Sequence, residues 1–207
     1  MSEESSKVEK KYYDYISVGN RTKQVVYFVE QHDKPIHFEL FLKENSVLKT
    51  VVICRGKKVA DAIGVHLNEK GINATVIHGN HRVSQIEESA TAFNQEKTAL
   101  LVTTSKIYET LELQNIDRIL YYELPFEPES YFKTLRAVDE TGESILFVNA
   151  DDERMLETLE LMMKYEIPQL EIEAFTHTAL PKVDKSKKKK PRHKKNKKSK
   201  YMPREED

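Results

Sequence analysis

Cysteine occurs once in 207 residues, at Cys54, so no intrachain disulfide can form, and this usage suits a reducing compartment. No apolar run approaches the roughly 18 residues of a membrane-spanning helix. The opening MSEESSKVEKK is polar and mixed in charge, unlike a signal peptide. The expected location is therefore the cytoplasm, with no membrane partner. The seven histidines show no metal-ligand spacing with acids or with Cys54, so no metal is expected. A Gly-rich P-loop is also missing: Gly56-Lys57-Lys58 lacks the preceding glycine spacing that would let backbone amides cradle a phosphate. No internal repeat is evident.

The charge is unevenly distributed. Residues 182–207 hold 13 Lys or Arg against 4 Asp or Glu, a net of +9, while residues 1–181 hold 20 against 30, a net of −10. An acidic body thus carries a basic tail, and the length suits one ordinary domain plus extensions. The expected organisation is a disordered leader over 1–11, a folded domain over 12–181 and a disordered Lys-rich tail over 182–207. Low-complexity Lys tracts cannot bury enough apolar surface to fold.

Within the body, YYDYISV and KQVVYFV are rich in β-branched and aromatic residues and predict two strands around a GNRT turn, a small β lead-in. Lys34 to Glu44 predicts a short helix, with Pro35 in its first turn. Then short apolar runs alternate with amphipathic ones. TVVIC, ATVIH, ALLVTT, RILYYEL and SILFVN predict strands. Lys57 to Lys70 predicts a helix with Val59, Ala60, Ile63 and Leu67 on one face and Gly71 at its C-terminal cap. Ser84 to Asn94 predicts another, with Ile86, Ala90 and Phe93 in one stripe, and Glu129 to Leu135 a shorter one. Asp151 reads as the N-cap of a helix over 152–165 whose Met155, Leu156, Leu159, Met162 and Met163 face inward. Alternation of this kind predicts βαβ units and a parallel β-sheet covered by helices on both faces. Cys54, at a strand end, reads as a small buried apolar residue.

Four segments carry a more specific signal: VVICRGKKVADAIGVHLNEKG from Val51, ATVIHGN from Ala74, ALLVTT from Ala99 and IDRILYYELP from Ile116. In order and spacing they resemble the second RecA-like, helicase C-terminal domain of the DEAD-box RNA helicases, over about residues 15–175. The resemblance implies an α/β RecA-like fold. It also implies an RNA-facing edge. In that family the loop after the motif IV strand touches the RNA backbone, which singles out Arg55, Gly56 and Lys57. Read from the residues alone, the same loop is an ordinary strand-to-helix turn, and both readings stand. His78 and Gly79 match a family strand ending H-G-D, with Asn80 in the aspartate's place. His78 also reads as a strand-end histidine bonded to a neighbouring loop. At the Q-x-x-R positions that follow stand Val83 and Ile86.

The letters that handle ATP depart from the family. Against motif V, A-T-D-x-x-x-R-G-L/I-D, residues 103–112 keep Thr104 and put Ser105 for Asp, Glu109 for Arg, Thr110 for Gly and Glu112 for the final Asp. Glu129 and Tyr131 match the family's E-x-Y. Motif VI, H-R-x-G-R-x-G-R, is met by Lys133 to Glu140, where Arg136 falls on a family glycine. Those arginines stabilise charge on the transferred phosphoryl group, and losing one lowers the rate by orders of magnitude. No D-E-A-D occurs in the chain. Asp151-Asp152-Glu153 and Asp14-Tyr15 read instead as a helix cap and a strand edge.

The tail is the second signal. Lys187, Lys188, Lys189, Lys190, Arg192, Lys194, Lys195, Lys197 and Lys198 would neutralise several phosphates and release counterions. Tyr201 is its lone aromatic, so base stacking there adds little. The expectation is a non-catalytic RNA-binding relative of DEAD-box helicases, not an enzyme as an isolated chain and without a cofactor. Its tail would bind RNA or ribosomal particles, and its RecA-like domain would offer a site to a protein partner. Two rivals stand beside it. One is the C-terminal half of a split helicase, taking ATP only when completed in trans. The other is an interaction module docking on helicase or ribosome-assembly partners.

Overall fold

The computed structural model describes residues 15–45 and 48–178. The expected leader and tail, and the start of the first expected strand, lie outside them. Six strands form one sheet in which every neighbouring pair is parallel, in the order β1-β6-β5-β2-β4-β3. The strands are β1 (Lys23–Phe28), β2 (Thr50–Cys54), β3 (Thr75–Ile77), β4 (Leu100–Thr104), β5 (Ile116–Tyr121) and β6 (Val138–Val148). The helices are α1 (Tyr15–Arg21), α2 (Lys34–Glu44), α3 (Lys57–Glu69), α4 (Val83–Asn94), α5 (Ser105–Tyr108), α6 (Pro128–Leu135) and α7 (Glu153–Met163).

β2 shows why the sequence folds this way. All five of its residues are buried, and their side chains alternate between the two faces of the sheet. Val51 and Ile53 join a core with Phe93, Phe132, Leu156 and Met163, beneath α4, α6 and α7. Val52 and Cys54 join a second core with Phe38, Phe41, Ala60, Ile63 and Leu67, beneath α2 and α3. Each such aliphatic side chain contributes roughly 1.5–3 kcal/mol on leaving water. α3 closes at Lys70, and Gly71 follows at φ +76°, a conformation glycine adopts without the clash a Cβ brings. Gly64 has a packing reason: a Cβ there would stand 2.2 Å from Val76 Cγ2.

Three expectations need correction. YYDYISV does not form a strand where it is described, because Tyr15–Arg21 is the helix α1, and no separate β lead-in is formed among the described residues. Tyr15 and Val18, one turn apart, pack on the core, with the Tyr15 ring 4.4 Å from that of Phe132. Gly19 sits against Met163 of α7. Tertiary contacts thus override a local β preference. KQVVYF does form a strand, but as an edge of the main sheet beside β6. Its outer side is bridged by residues 168–170: Val26 N–H donates to Pro168 O at 2.9 Å and Leu170 N–H to Val26 O at 2.9 Å. Second, β6 begins at Val138, well before SILFVN. There the two-residue step from Ile116 to Arg118 faces the five-residue step from Val138 to Glu143. Third, the N-cap of α7 is Asp152, not Asp151, and Asp152 makes no side-chain capping bond. Its carboxylate is used elsewhere.

Candidate functional site

All six strands point the same way, so their C-terminal ends share one edge of the sheet. β2 and β5 are neighbours whose following connections leave in opposite directions, toward β3 and toward β6. That is a topological switch point, where open α/β sheets form a crevice. A cleft of about 460 Å³ lies there, lined by Arg55, Lys57, Thr104, Lys106, Glu109 and Phe126 among others. The structure therefore gathers three of the sequence-selected residues, Arg55, Lys57 and Thr104, into one cleft.

Arg55 leaves the end of β2 with its side chain fixed. Its N–H donates to Glu123 Oε2 at 3.1 Å and its Nε to Leu124 O, while the guanidinium pairs with Asp152 and lies over the Phe126 ring at 4.9 Å. Asp152 also meets Lys34, whose Nζ lies 3.3 Å from its Oδ2 and donates to Tyr122 O at 2.7 Å and Phe147 O at 2.9 Å. Lys34 is wholly buried. Burial pushes its ammonium down to about 8, against the pull of the Glu123 carboxylate. A buried ion-pair network under the sheet edge thus holds the arginine at its surface.

Lys57, at the start of α3, donates to Asn80 Oδ1 at 2.6 Å and so joins the β2 loop to the β3 loop. Gly79 lies beside it: a Cβ there would stand 3.6 Å from Lys57 Nζ. Gly56 is the N-cap of α3 and gives no side-chain cap, and a Cβ added to it would meet nothing within 4 Å. The N-terminus of α3 therefore opens without a side-chain cap, while the Val59 and Ala60 N–H groups donate to Gly56 O at 3.1 Å. His78 is buried, with Nε2 2.7 Å from Asp61 Oδ1 on α3. Its Nδ1 accepts from the backbone N–H of Asn80 at 3.3 Å, so the imidazole is held both by a helix and by the loop that follows its strand.

Across the cleft, Glu109 follows α5. Lys133 Nζ lies 2.6 Å from its Oε2, and Ser130 Oγ donates to Oε1 at 3.0 Å. These bonds, the Lys133 bond foremost, hold the Glu109 carboxyl below the usual carboxylate range. α6 ends at Leu135 and β6 starts at Val138, so very little chain separates them. Arg21 covers that junction, its guanidinium donating to Arg136 O at 3.0 Å and Val138 O at 3.3 Å.

Residues 30–138 match the family model described as the helicase conserved C-terminal domain. The match spans more than half of the chain, and the protein belongs to that family. Solved structures agree on the fold, a RecA-like α/β domain. A DEAD box protein from the hyperthermophile Methanococcus jannaschii is 24% identical, at a TM-score of 0.68, over 74% of this chain and 43% of that one. The Escherichia coli DEAD-box protein SrmB, in complex with the regulator of ribonuclease activity RraA, is 15% identical at 0.68, over 77% of this chain and 98% of that one. Saccharomyces cerevisiae Dbp5, in complex with RNA and ADP BeF3, is 16% identical at 0.68, over 72% of this chain and 41% of that one. The chain thus spans less than half the length of the Methanococcus protein and of Dbp5.

The sequence did not single out Lys34, Asp152, Lys106 or Phe126 as site residues. Asp152 carried a signal that pointed elsewhere, to a helix cap. Phe126, an aromatic between two prolines in a connection, carried none. Lys187 to Lys190, Arg192, Lys194, Lys195, Lys197 and Lys198 lie outside the described residues. No helix among the described residues is long and apolar enough to cross a membrane.

Proposed function

We propose that the protein is a non-catalytic RNA-binding relative of the DEAD-box helicases, acting in the cytoplasm. Its C-terminal sheet edge would contact the RNA backbone, and its polybasic tail would add electrostatic affinity. The observation that carries the reading is Glu109. Where the family pattern has an arginine, a carboxylate is tied to Lys133 and Ser130 at the mouth of the cleft. Between the two remaining cations of that mouth, Lys57 and Lys106, a backbone phosphate finds a partner, while the dense charge of a triphosphate meets Glu109 and Glu127. Arg55, Gly56, Lys57, His78, Gly79 and Thr104 form the proposed RNA edge. Arg55 and His78 act through what they hold in place, since both are already bonded to carboxylates. That Dbp5 was solved with RNA supports an RNA role for such a domain. No ATP is required in this reading.

RNA binding by the full chain and by a version ending at Pro181, measured across a salt series, tests it. Residual binding by the shorter chain supports the sheet-edge contact. Loss of all binding by both chains sinks the RNA reading. A second reading, docking on a protein partner, is favoured by the net charge of −10 on residues 1–181, which opposes a polyanion. SrmB and Dbp5 domains have been solved with protein partners, which supports it too. Capture of a partner that survives nuclease treatment would favour that reading.

A further inference from the structure

Phe126 is 77% exposed, a large apolar ring left in water at a cleft that Arg55, Lys57, Lys106, Glu109 and Glu127 also line. A scattered surface aromatic needs no explanation on its own, but this one is mounted. The Arg55 guanidinium lies over the ring at 4.9 Å, and that guanidinium is itself pinned by Asp152 and by Leu124 O. The ring therefore has one side backed by a fixed cation and most of its surface open. A cation held over an aromatic ring restricts its motion and lowers the entropy lost when a second planar group stacks on it. Lys57 and Lys106 line the same cleft. A planar group on Phe126 would thus have its attached phosphate within the reach of two ammonium groups.

We propose that Phe126 is a stacking platform for a nucleobase of single-stranded RNA, with Arg55 behind it and Lys57 and Lys106 holding the flanking phosphates. The inference rests on the RNA reading above and adds to it. Contacts to phosphates alone accept any polyanion, whereas a stacked base requires an unpaired strand. The source of the base is a strand rather than a free nucleotide. Two separated lysines serve a chain with one charge per residue, while Glu109 and Glu127, which line the same cleft, oppose a triphosphate.

The test uses the full chain, wild type, F126A and F126W, at a salt concentration high enough to suppress the tail's contribution. The probes are an eight-residue oligouridylate, an abasic ribose-phosphate oligomer of the same length, and free ATP. Wild type is expected to prefer the oligouridylate to the abasic strand. F126A should weaken the oligouridylate by between about 5-fold and about 150-fold, leave the abasic strand within about 2-fold, and be rescued by F126W. Because Phe126 is exposed, F126A removes no core packing, and an unchanged thermal melt confirms it. If F126A binds the oligouridylate as wild type does, the platform is overturned and the RNA reading survives. If wild type binds neither strand at that salt, the platform is overturned, and if it also binds neither at low salt, the RNA reading falls with it. If ATP binds as tightly as the oligouridylate, and with the same Phe126 dependence, the base belongs to a free nucleotide and the inference is overturned.

Discussion

Asp152 divides its carboxylate between two cations, Lys34 at 3.3 Å and Arg55, one wholly buried and the other at the surface of the cleft. Removing one partner of a buried pair leaves a charge without water or counterion, a loss of about 3–5 kcal/mol. D152A is therefore expected to destabilise the protein by about that much in urea unfolding, because Lys34 cannot reach solvent whereas Arg55 can. K34M should cost less, since Asp152 keeps Arg55. D152A made on top of K34M should cost less than D152A alone, and simple additivity of the two would contradict the shared network.

His37 predicts a pH dependence. It is buried in a cage of rings, with centroids at 5.3 Å from Tyr27, 4.9 Å from Phe147 and 4.8 Å from Phe175. Burial, helped by the nearby His177, pushes its imidazole from 6.5 down to about 4. Between those values the unfolded chain binds a proton that the folded chain refuses. Stability present above pH 6.5 is then lost as pH falls through about 4, by on the order of 2–3 kcal/mol. H37F should flatten that slope in chemical unfolding run from pH 7 to pH 4. An unchanged slope would place its origin in other groups.

Gly64 gives a packing prediction. A methyl group there would drive into Val76 Cγ2, and the β-branched Val76 has few rotamers to offer. G64A is expected to lose about 1–3 kcal/mol of stability by overpacking. Adding V76A should recover part of that loss in thermal melts.

Glu109 separates the non-catalytic reading from the split-enzyme one. E109R restores the arginine of the family pattern, yet phosphate release from ATP should stay at background, with RNA present or absent, because residues 133–140 still lack the second set of arginines. Measurable turnover by the wild-type chain together with a co-purified partner would refute the non-catalytic reading and favour the split enzyme. Its pair with Lys133 is partly exposed, so E109A should change stability by no more than about 1 kcal/mol.

The tail prediction is read from salt dependence. Replacing Lys187 to Lys190 by glutamine should reduce the slope of log affinity against log salt by about 0.7 for each phosphate that is no longer neutralised. A slope that does not move would exclude those lysines from RNA binding.

Regions with one clear periodicity were legible in the sequence. β2 and α3 read correctly because their side chains alternate or recur every turn over a full element, and Gly71 marks the stop. α1 did not, since Tyr15, Ile16 and Val18 favour strands locally and only Phe132 and Met163, far along the chain, make them a helix. Of the site, the residues at the ends of β2, β3 and β4 were singled out by the resemblance to the helicase C-terminal domain, and the parallel sheet brings those strand ends to one edge. Their bonding was not legible. Asp152 looks like a helix cap in one dimension, and its use by Lys34 and Arg55 depends on three elements meeting in space. Phe126 has no periodic context at all, and its exposure becomes visible once the fold is known.

The pairing of β1 with β6 has a consequence for synthesis. β1 is finished by Phe28, but its hydrogen-bonding neighbour spans Val138–Val148, and its outer side is bridged by residues 168–170. A nascent chain emerging from the ribosome would carry KQVVYF without its sheet partner until most of the domain had been translated. Contacts of such long sequence separation form slowly and leave strand edges exposed in the meantime. This protein should therefore depend on holding factors during translation more than its modest size suggests.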